Sequence, residues 1–234
     1  MTHPFFYNEK ITSDTNELVL NDETSKHLVQ VLRMQIGEQL QLTDGLGNIS
    51  TAIITDGHKK SCKVKIISNS FLPQTTSKNT IAISLVKNAH RFEWFLEKAT
   101  EIGITEIIPL ICSRTEKQHF RFDRMKGILI SAMLQSQQCW LPVLHEPVRF
   151  KEFADGTYSQ KKLIAHCEED AKQSLTSFKS NASGTLICIG PEGDFTVDEI
   201  YQATENGFLP VALGDTRLRT ETAGVVVATL LCVQ

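Results

Sequence analysis

The sequence predicts an α/β protein, a parallel sheet covered by helices and preceded by a smaller β domain. Three observations carry that expectation. From Thr80 onward, short apolar runs alternate with helical stripes, the pattern that builds parallel βα layers. Before Thr80, residues alternate between apolar and polar and are punctuated by Asp44-Gly45 and Asp56-Gly57, the signature of antiparallel hairpins. Near the C-terminus two apolar strands both run out into glycine, at Gly190 and Gly214.

The N-terminal elements follow in order. Asn21 to Met34 reads as a helix: Asn21 can cap it, Asp22 and Glu23 sit in its first turn, and Leu28, Val31 and Leu32 share a face. Strand alternation comes next, with Leu40 and Leu42, then Ser50 to Thr55, then Cys62, Val64 and Ile66. Together these make a β domain of roughly 70 residues, at the low end of domain sizes. The polar stretch Ser68 to Asn79, with Pro73 inside it, is the natural boundary, so the chain divides into residues 1–72 and 73–234.

In the second part Thr80 to Val86 is a continuously apolar strand. His90 to Ile102 places Phe92, Phe95, Leu96, Ala99 and Ile102 on one helical stripe, closed by Gly103. Glu106 to Ile111 is a strand in which Pro109, lacking an N–H, predicts a bulge or an edge position. Met125, Ile128, Leu129, Ala132 and Met133 mark a helix that ends before Pro142, and Lys162 to Ala165 is a short strand. Thr185 to Ile189 and Leu209 to Leu213 complete about five strands. Between the last two lies a helix opened by the capping box Thr196 to Glu199 and ended by Gly207. Ala223 to Val233 is the last helix. Two strands joined by one helix are expected to be parallel neighbours, so both glycine loops open at the C-terminal edge of the sheet, where ligands bind.

Glycine in both loops lets main-chain N–H groups approach a ligand closely. Glu192, Glu221, Arg217 and Arg219 add both signs of charge, which suits a zwitterionic or cationic ligand beside an anionic one. Other chemistries find no support. After Val86 the chain reads Lys87-Asn-Ala-His-Arg91, not a dinucleotide fingerprint, and no phosphate-binding P-loop occurs. Ser113, Ser136 and Cys167 have no visible base partner, and the acidic residues lack metal-ligand spacing, so no metal is expected.

The formal net charge of -3 argues against a chain that grips nucleic acid by overall charge, so local patches must do so. One runs from Arg114 to Lys126, where Arg114, Lys117, Arg121 and Arg124 surround Phe120 and Phe122. It is either an RNA-binding surface or a loop anchored to the core by its phenylalanines. Arg33 is either a phosphate contact or a solvated arginine, and His27 reads as half-buried. The six cysteines are scattered, as free thiols of a reducing cytoplasm would be. No apolar run reaches membrane-spanning length, and the N-terminus lacks a signal pattern, so a cytoplasmic protein with no membrane partner is expected.

Ile189-Gly-Pro-Glu-Gly-Asp-Phe-Thr196 followed by Leu213-Gly-Asp-Thr-Arg-Leu-Arg-Thr-Glu-Thr-Ala223 closely resembles the paired signatures of the RsmE family of ribosomal RNA methyltransferases. The similarity extends to Lys98-Ala-Thr-Glu-Ile-Gly103, to His27 with Val31-Leu-Arg33, and to Gln135-Ser136. It implies a PUA-like RNA-binding β-barrel followed by a SPOUT-type parallel sheet with a C-terminal trefoil knot. It also implies a homodimer that takes S-adenosylmethionine and methylates N3 of a uridine in 16S ribosomal RNA of the small subunit. The cofactor residues carried over are Ala165 and His166, Ile189, Gly190, Pro191, Glu192 and Gly193, and Leu213, Gly214, Leu218 and Thr222. Deprotonated N3 needs a nearby cation, for which Arg219 is the first choice and Arg217 the second, with phosphate binding as the other role for both.

Three departures stand out. Pro4-Phe5-Phe6 replaces an arginine-led run, Asp194 stands where glycine is usual, and Gln137-Gln-Cys-Trp140 replaces a segment with two arginines. A scaffold that binds RNA or assists ribosome assembly without catalysis, or that methylates another position, is the alternative.

Overall fold

The computed structural model describes residues 3–12, 14–74, 77–168, 172–178 and 183–233. The backbone groups into two units, Met1–Gln74 with Met133–Leu141, and Thr75–Ala132 with Pro142–Gln234.

The first unit is a five-stranded sheet in the order β1-β3-β4-β5-β2. Its strands are β1 (Phe5–Tyr7), β2 (Glu17–Val19), β3 (Gln39–Thr43), β4 (Asn48–Asp56) and β5 (Lys63–Phe71). β1 runs parallel to β3, and the other pairs are antiparallel. Leu40, Leu42, Ala52, Ile54 and Val64 are buried, so the alternation in the sequence is the inward face of the sheet. The short β1 and β2 carry too few residues for that period to show.

The helix read from Asn21 to Met34 is broken in two. Asn21 accepts from Thr24 N–H at 2.8 Å and caps α1 (Asp22–Lys26), after which His27–Val31 forms a π-helical turn. Leu28 is buried, but Val31 is 64% and Leu32 43% exposed, so the expected shared face fails. The reason is geometric: Leu32 N–H bonds to His27 C=O, five residues back, and the wider turn rotates residues 31 and 32 off the stripe. Residues 133–141, assigned by sequence to the second part, group with this unit. Gly47 N–H donates to Cys139 C=O, Leu141 N–H to Gly45 C=O, and the Trp140 indole to Leu72 C=O.

The second unit is a parallel sheet ordered β11-β13-β10-β12-β6-β7-β8, with β9 also paired to β7. Its strands are β6 (Thr80–Ser84), β7 (Glu106–Ile111), β8 (Val143–Leu144), β9 (Val148–Arg149), β10 (Lys161–Ala165), β11 (Gln173–Ser174), β12 (Thr185–Ile189) and β13 (Leu209–Ala212). The helices are α2 (Ala89–Ile102), α3 (Phe122–Gln135), α4 (Phe150–Ala154), α5 (Val197–Glu205) and α6 (Thr220–Cys232). Two sequence expectations are corrected. β12 and β13 are parallel but not neighbours, because β10 lies between and pairs with both; the crossover through α5 skips one strand. β7 is an interior strand without a bulge at Pro109, which is in register with Ile83 of β6. On the other side β8 pairs with Glu106 and Ile107 and β9 with Leu110 and Ile111, so Pro109 stands in the gap where its missing N–H costs nothing.

α2 buries Phe92, Phe95, Leu96 and Ala99 as its stripe requires and ends on Gly103 at φ 103°. α6 packs on it so closely that a Cβ on Gly224 would stand 2.5 Å from the Phe95 ring. Between β12 and α5 the capping box is complete: Thr196 Oγ1 accepts from Glu199 N–H and Glu199 Oε2 from Thr196 N–H. Among the described residues no helix is long and apolar enough to cross a membrane.

Candidate functional site

Three strand ends finish level with one another. Ala165 of β10 is in register with Ile189 of β12 and with Val211 of β13, so the loops that follow leave the sheet at the same height. They enclose a cavity of about 530 Å³, within the usual range for a small-molecule site. The first wall is Ala165, His166 and Cys167 with Lys172, and the second is Ile189 to Glu192 with Asp194. The third is Val211 to Arg219, continued by Thr220 and Ala223 of α6.

The walls are tied together by hydrogen bonds. Thr220 Oγ1 donates to Gly190 C=O at 3.0 Å, fixing the start of α6 to the second loop. Lys172 Nζ donates to His166 C=O at 2.7 Å. Asp194 Oδ2 accepts from Cys167 N–H at 2.7 Å and Oδ1 from Phe195 N–H at 2.8 Å. Behind the second loop, Arg114 Nη1 donates to Gly193 C=O at 2.6 Å, and Glu192 Oε1 accepts from Lys87 N–H at 2.9 Å. The lining is apolar at Ala165, Ile189, Val211, Leu213, Leu218 and Ala223, with charges of both signs around it. Burial, and then the Asp194 carboxylate, push the Cys167 thiol above its ordinary value. That is the wrong direction for a nucleophile.

Of the cofactor residues read from sequence, Ala165, His166, Ile189, Gly190, Pro191, Glu192, Leu213, Gly214 and Leu218 line this cavity, as do Arg217 and Arg219. Gly193 and Thr222 do not. Gly193 faces Arg114, and α6 begins at Thr220, so Thr220 and Ala223, three residues apart, share the cavity face that Thr222 misses. Cys167, Lys172 and Asp194 escaped the sequence-based set. Asp194 was visible only as a departure from a glycine, while Lys172 lies in a loop with no pattern. Glu221, 6% exposed, holds Oε1 at 3.6 Å from Arg91 Nε, and its Oε2 has no hydrogen-bond partner among the described residues.

The proposed RNA contacts separate into two kinds. Arg114 is committed to the Gly193 and Phe195 carbonyls, and Arg124 makes a forked pair with Glu93 at 2.5 and 2.9 Å. The side chains of Lys117 and Arg121 are exposed, with no hydrogen bond or ion pair to a described residue. Phe120 packs edge-on against Phe92 and Phe122, so the phenylalanines anchor this loop. In the first unit His27, expected to be half-buried, is instead exposed, with its ring edge-on to Phe6. Arg33 is exposed at φ 55°, a left-handed conformation unusual for a side-chain-bearing residue. Among the described residues no group of three His, Cys, Asp or Glu is placed to hold a metal ion.

Comparison with known proteins gives consistent relatives. A probable rRNA-methyltransferase from Porphyromonas gingivalis has 36% sequence identity and a TM-score of 0.89, covering 97% of this chain and 98% of its own. The ribosomal RNA small subunit methyltransferase E of Neisseria gonorrhoeae, solved bound to S-adenosyl methionine, has 30% identity and a TM-score of 0.87, covering 97% and 95%. The Rickettsia conorii protein of the same name is 26% identical over 94% of this chain and 91% of its own. An RNA methyltransferase PUA domain model matches residues 20–67 and an RNA methyltransferase domain model residues 73–232. The second match spans the three strand ends and the whole cavity, and on that ground the chain belongs to the RsmE family of RNA methyltransferases.

Proposed function

We propose that this chain transfers a methyl group from S-adenosylmethionine to N3 of a uridine in 16S ribosomal RNA of the small subunit. The carrying observation is the cavity at the level ends of β10, β12 and β13, with Arg217 and Arg219 at its margin. The lining fits the group: an apolar floor for a nucleoside, open backbone at Gly214, where a Cβ would meet nothing within 4 Å, and charges of both signs for a zwitterionic tail. The S-adenosyl methionine bound in the Neisseria gonorrhoeae enzyme and the names of the relatives support the same reading. A cytoplasmic homodimer with contacts along α6, and passage of α6 through a loop as a trefoil knot, belong to it as well.

When bound, S-adenosylmethionine supplies a methyl group on a sulfonium. The residues of the chain do the rest. Backbone groups of Gly190, Leu213 and Leu218 hold the adenine, and the carboxylate of Glu192 is left to meet the ribose or the methionine end. In-line transfer needs the acceptor nitrogen about 3 to 3.5 Å from the methyl carbon. Loss of the N3 proton creates an anion, which Arg219 stabilises, with Arg217 as the second cation. Calorimetric titration with S-adenosylmethionine should show one site per chain. Small subunits from a deletion strain, treated with the protein, should gain one methyl at a uridine mapped by mass spectrometry. Cofactor binding without methylation would leave an RNA-binding scaffold, and no heat at all would end the proposal.

A further inference from the structure

Asp194 stands in the left-handed region at φ 63°, where glycine fits without strain and any side chain carries a cost. Its carboxylate has both oxygens committed to main-chain donors. Oδ1 takes the next residue's N–H, Phe195, and this local bond orients the group. Oδ2 then reaches Cys167 N–H, the second residue past the end of β10 and 27 positions away in sequence. Cys167 and Asp194 both line the cavity, on its first and second walls. The bond therefore closes the seam between two loops that leave neighbouring strands, where the ladder between β10 and β12 has ended at Ala165 and Ile189.

Resting on the function proposed above, we infer that Asp194 is a positioning residue: its carboxylate extends the β10–β12 pairing past the sheet edge and holds the Cys167 wall in place for the cofactor. A residue kept only for the turn would be served better by glycine, which takes this φ freely. The unfavourable conformation is offset by a charge-assisted bond to another loop.

Two substitutions separate the roles. Asp194→Gly removes the bond and relieves the backbone, while Asp194→Ala removes the bond and leaves the strain. In the free protein, amide hydrogen exchange of the segment containing Cys167 should accelerate in both variants. Titration should show S-adenosylmethionine held about tenfold more weakly by both, the loss of one charge-assisted bond. The melting temperature should fall only in Asp194→Ala. A purely structural residue would lose affinity and melting temperature together, whereas Asp194→Gly should lose affinity alone. Unchanged exchange at Cys167 would overturn the inference, and so would accelerated exchange with wild-type affinity. If the wild-type protein itself takes up no S-adenosylmethionine, the proposed function fails, and exchange at Cys167 still decides whether Asp194 holds the wall.

Discussion

The Thr220 hydroxyl donates to the Gly190 carbonyl at 3.0 Å, and both residues are buried. One bond thus joins the first turn of α6 to the loop leaving β12, across the floor of the cavity. Thr220→Val keeps the side-chain shape and strands the carbonyl. The expected loss is about 1–3 kcal/mol of unfolding free energy, the usual cost of an unsatisfied buried acceptor. Thr220→Ser keeps the donor and should lie near wild type. Urea unfolding of the three proteins checks this, and coincident midpoints for the Val variant and wild type would remove the bond from the account.

The Lys117 and Arg121 side chains have no partner among the described residues, whereas Arg114 and Arg124 are engaged. If the loop meets single-stranded RNA, the double variant Lys117→Ala with Arg121→Ala should lower the slope of log affinity against log salt by about 1.4, at about 0.7 per phosphate. Arg114→Ala should leave the slope alone and weaken cofactor binding, because it frees the Gly193 carbonyl. A slope unmoved by the double variant would take the loop out of the RNA contact.

Glu106 lies buried at the opposite end of the sheet from the cavity, on the first residue of β7. It accepts from Thr80 Oγ1 at 2.5 Å, His145 Nε2 at 2.8 Å and Lys78 Nζ at 3.0 Å. Burial alone would raise its carboxyl, but these hydrogen bonds and the Lys78 charge outweigh it and hold the group below the ordinary 4.5. A carboxyl lowered in the folded state stabilises the fold above its unfolded value and loses that contribution as pH falls through the folded one. The stability of wild type over Glu106→Gln should therefore be constant from neutrality down to about pH 5 and shrink below it. Denaturant midpoints of both proteins across acid pH test this, and a gap that does not narrow would show that the ionised network is not its source.

What could be read from the sequence was local. The capping box at Thr196 and Glu199, the Gly103 stop and the apolar strand Thr185 to Ile189 depend on residues a few positions apart and stand where their patterns put them, and the strand read as Leu209 to Leu213 ends one residue earlier, at Ala212. What was hidden depends on pairing at long range. Nothing in residues 161–165 says that they insert between β12 and β13, and nothing around Arg114 says that its partner is a carbonyl 79 positions away. The π-turn after Lys26 failed for a different reason: the helical stripe assumes a constant period, and one wide turn shifts every later residue. The cavity was legible through its glycine loops, while Lys172 and Asp194, which complete it, act through one and two hydrogen bonds that leave no periodicity.

Arg219 is the test of the chemistry. It is the N-cap residue of α6 but makes no side-chain cap, lies exposed at the cavity, and its guanidinium forms no hydrogen bond or ion pair to a described residue. Arg219→Ala should therefore change stability by no more than about 0.5 kcal/mol, as for an unengaged surface side chain. Cofactor affinity should hold, while the single-turnover rate falls roughly 10²- to 10³-fold, the cost of removing one group that stabilises developing negative charge. Arg219→Lys keeps the charge but not the planar fork and should recover part of the loss. The pH profile separates the two roles open to this arginine. If it stabilises the anion formed at N3, raising the pH should restore part of the variant's rate, because deprotonation then needs less help. If it only grips a phosphate, the deficit should stay constant with pH and vanish at saturating RNA, and the same pair of measurements on Arg217→Ala would show which arginine faces the reacting nitrogen.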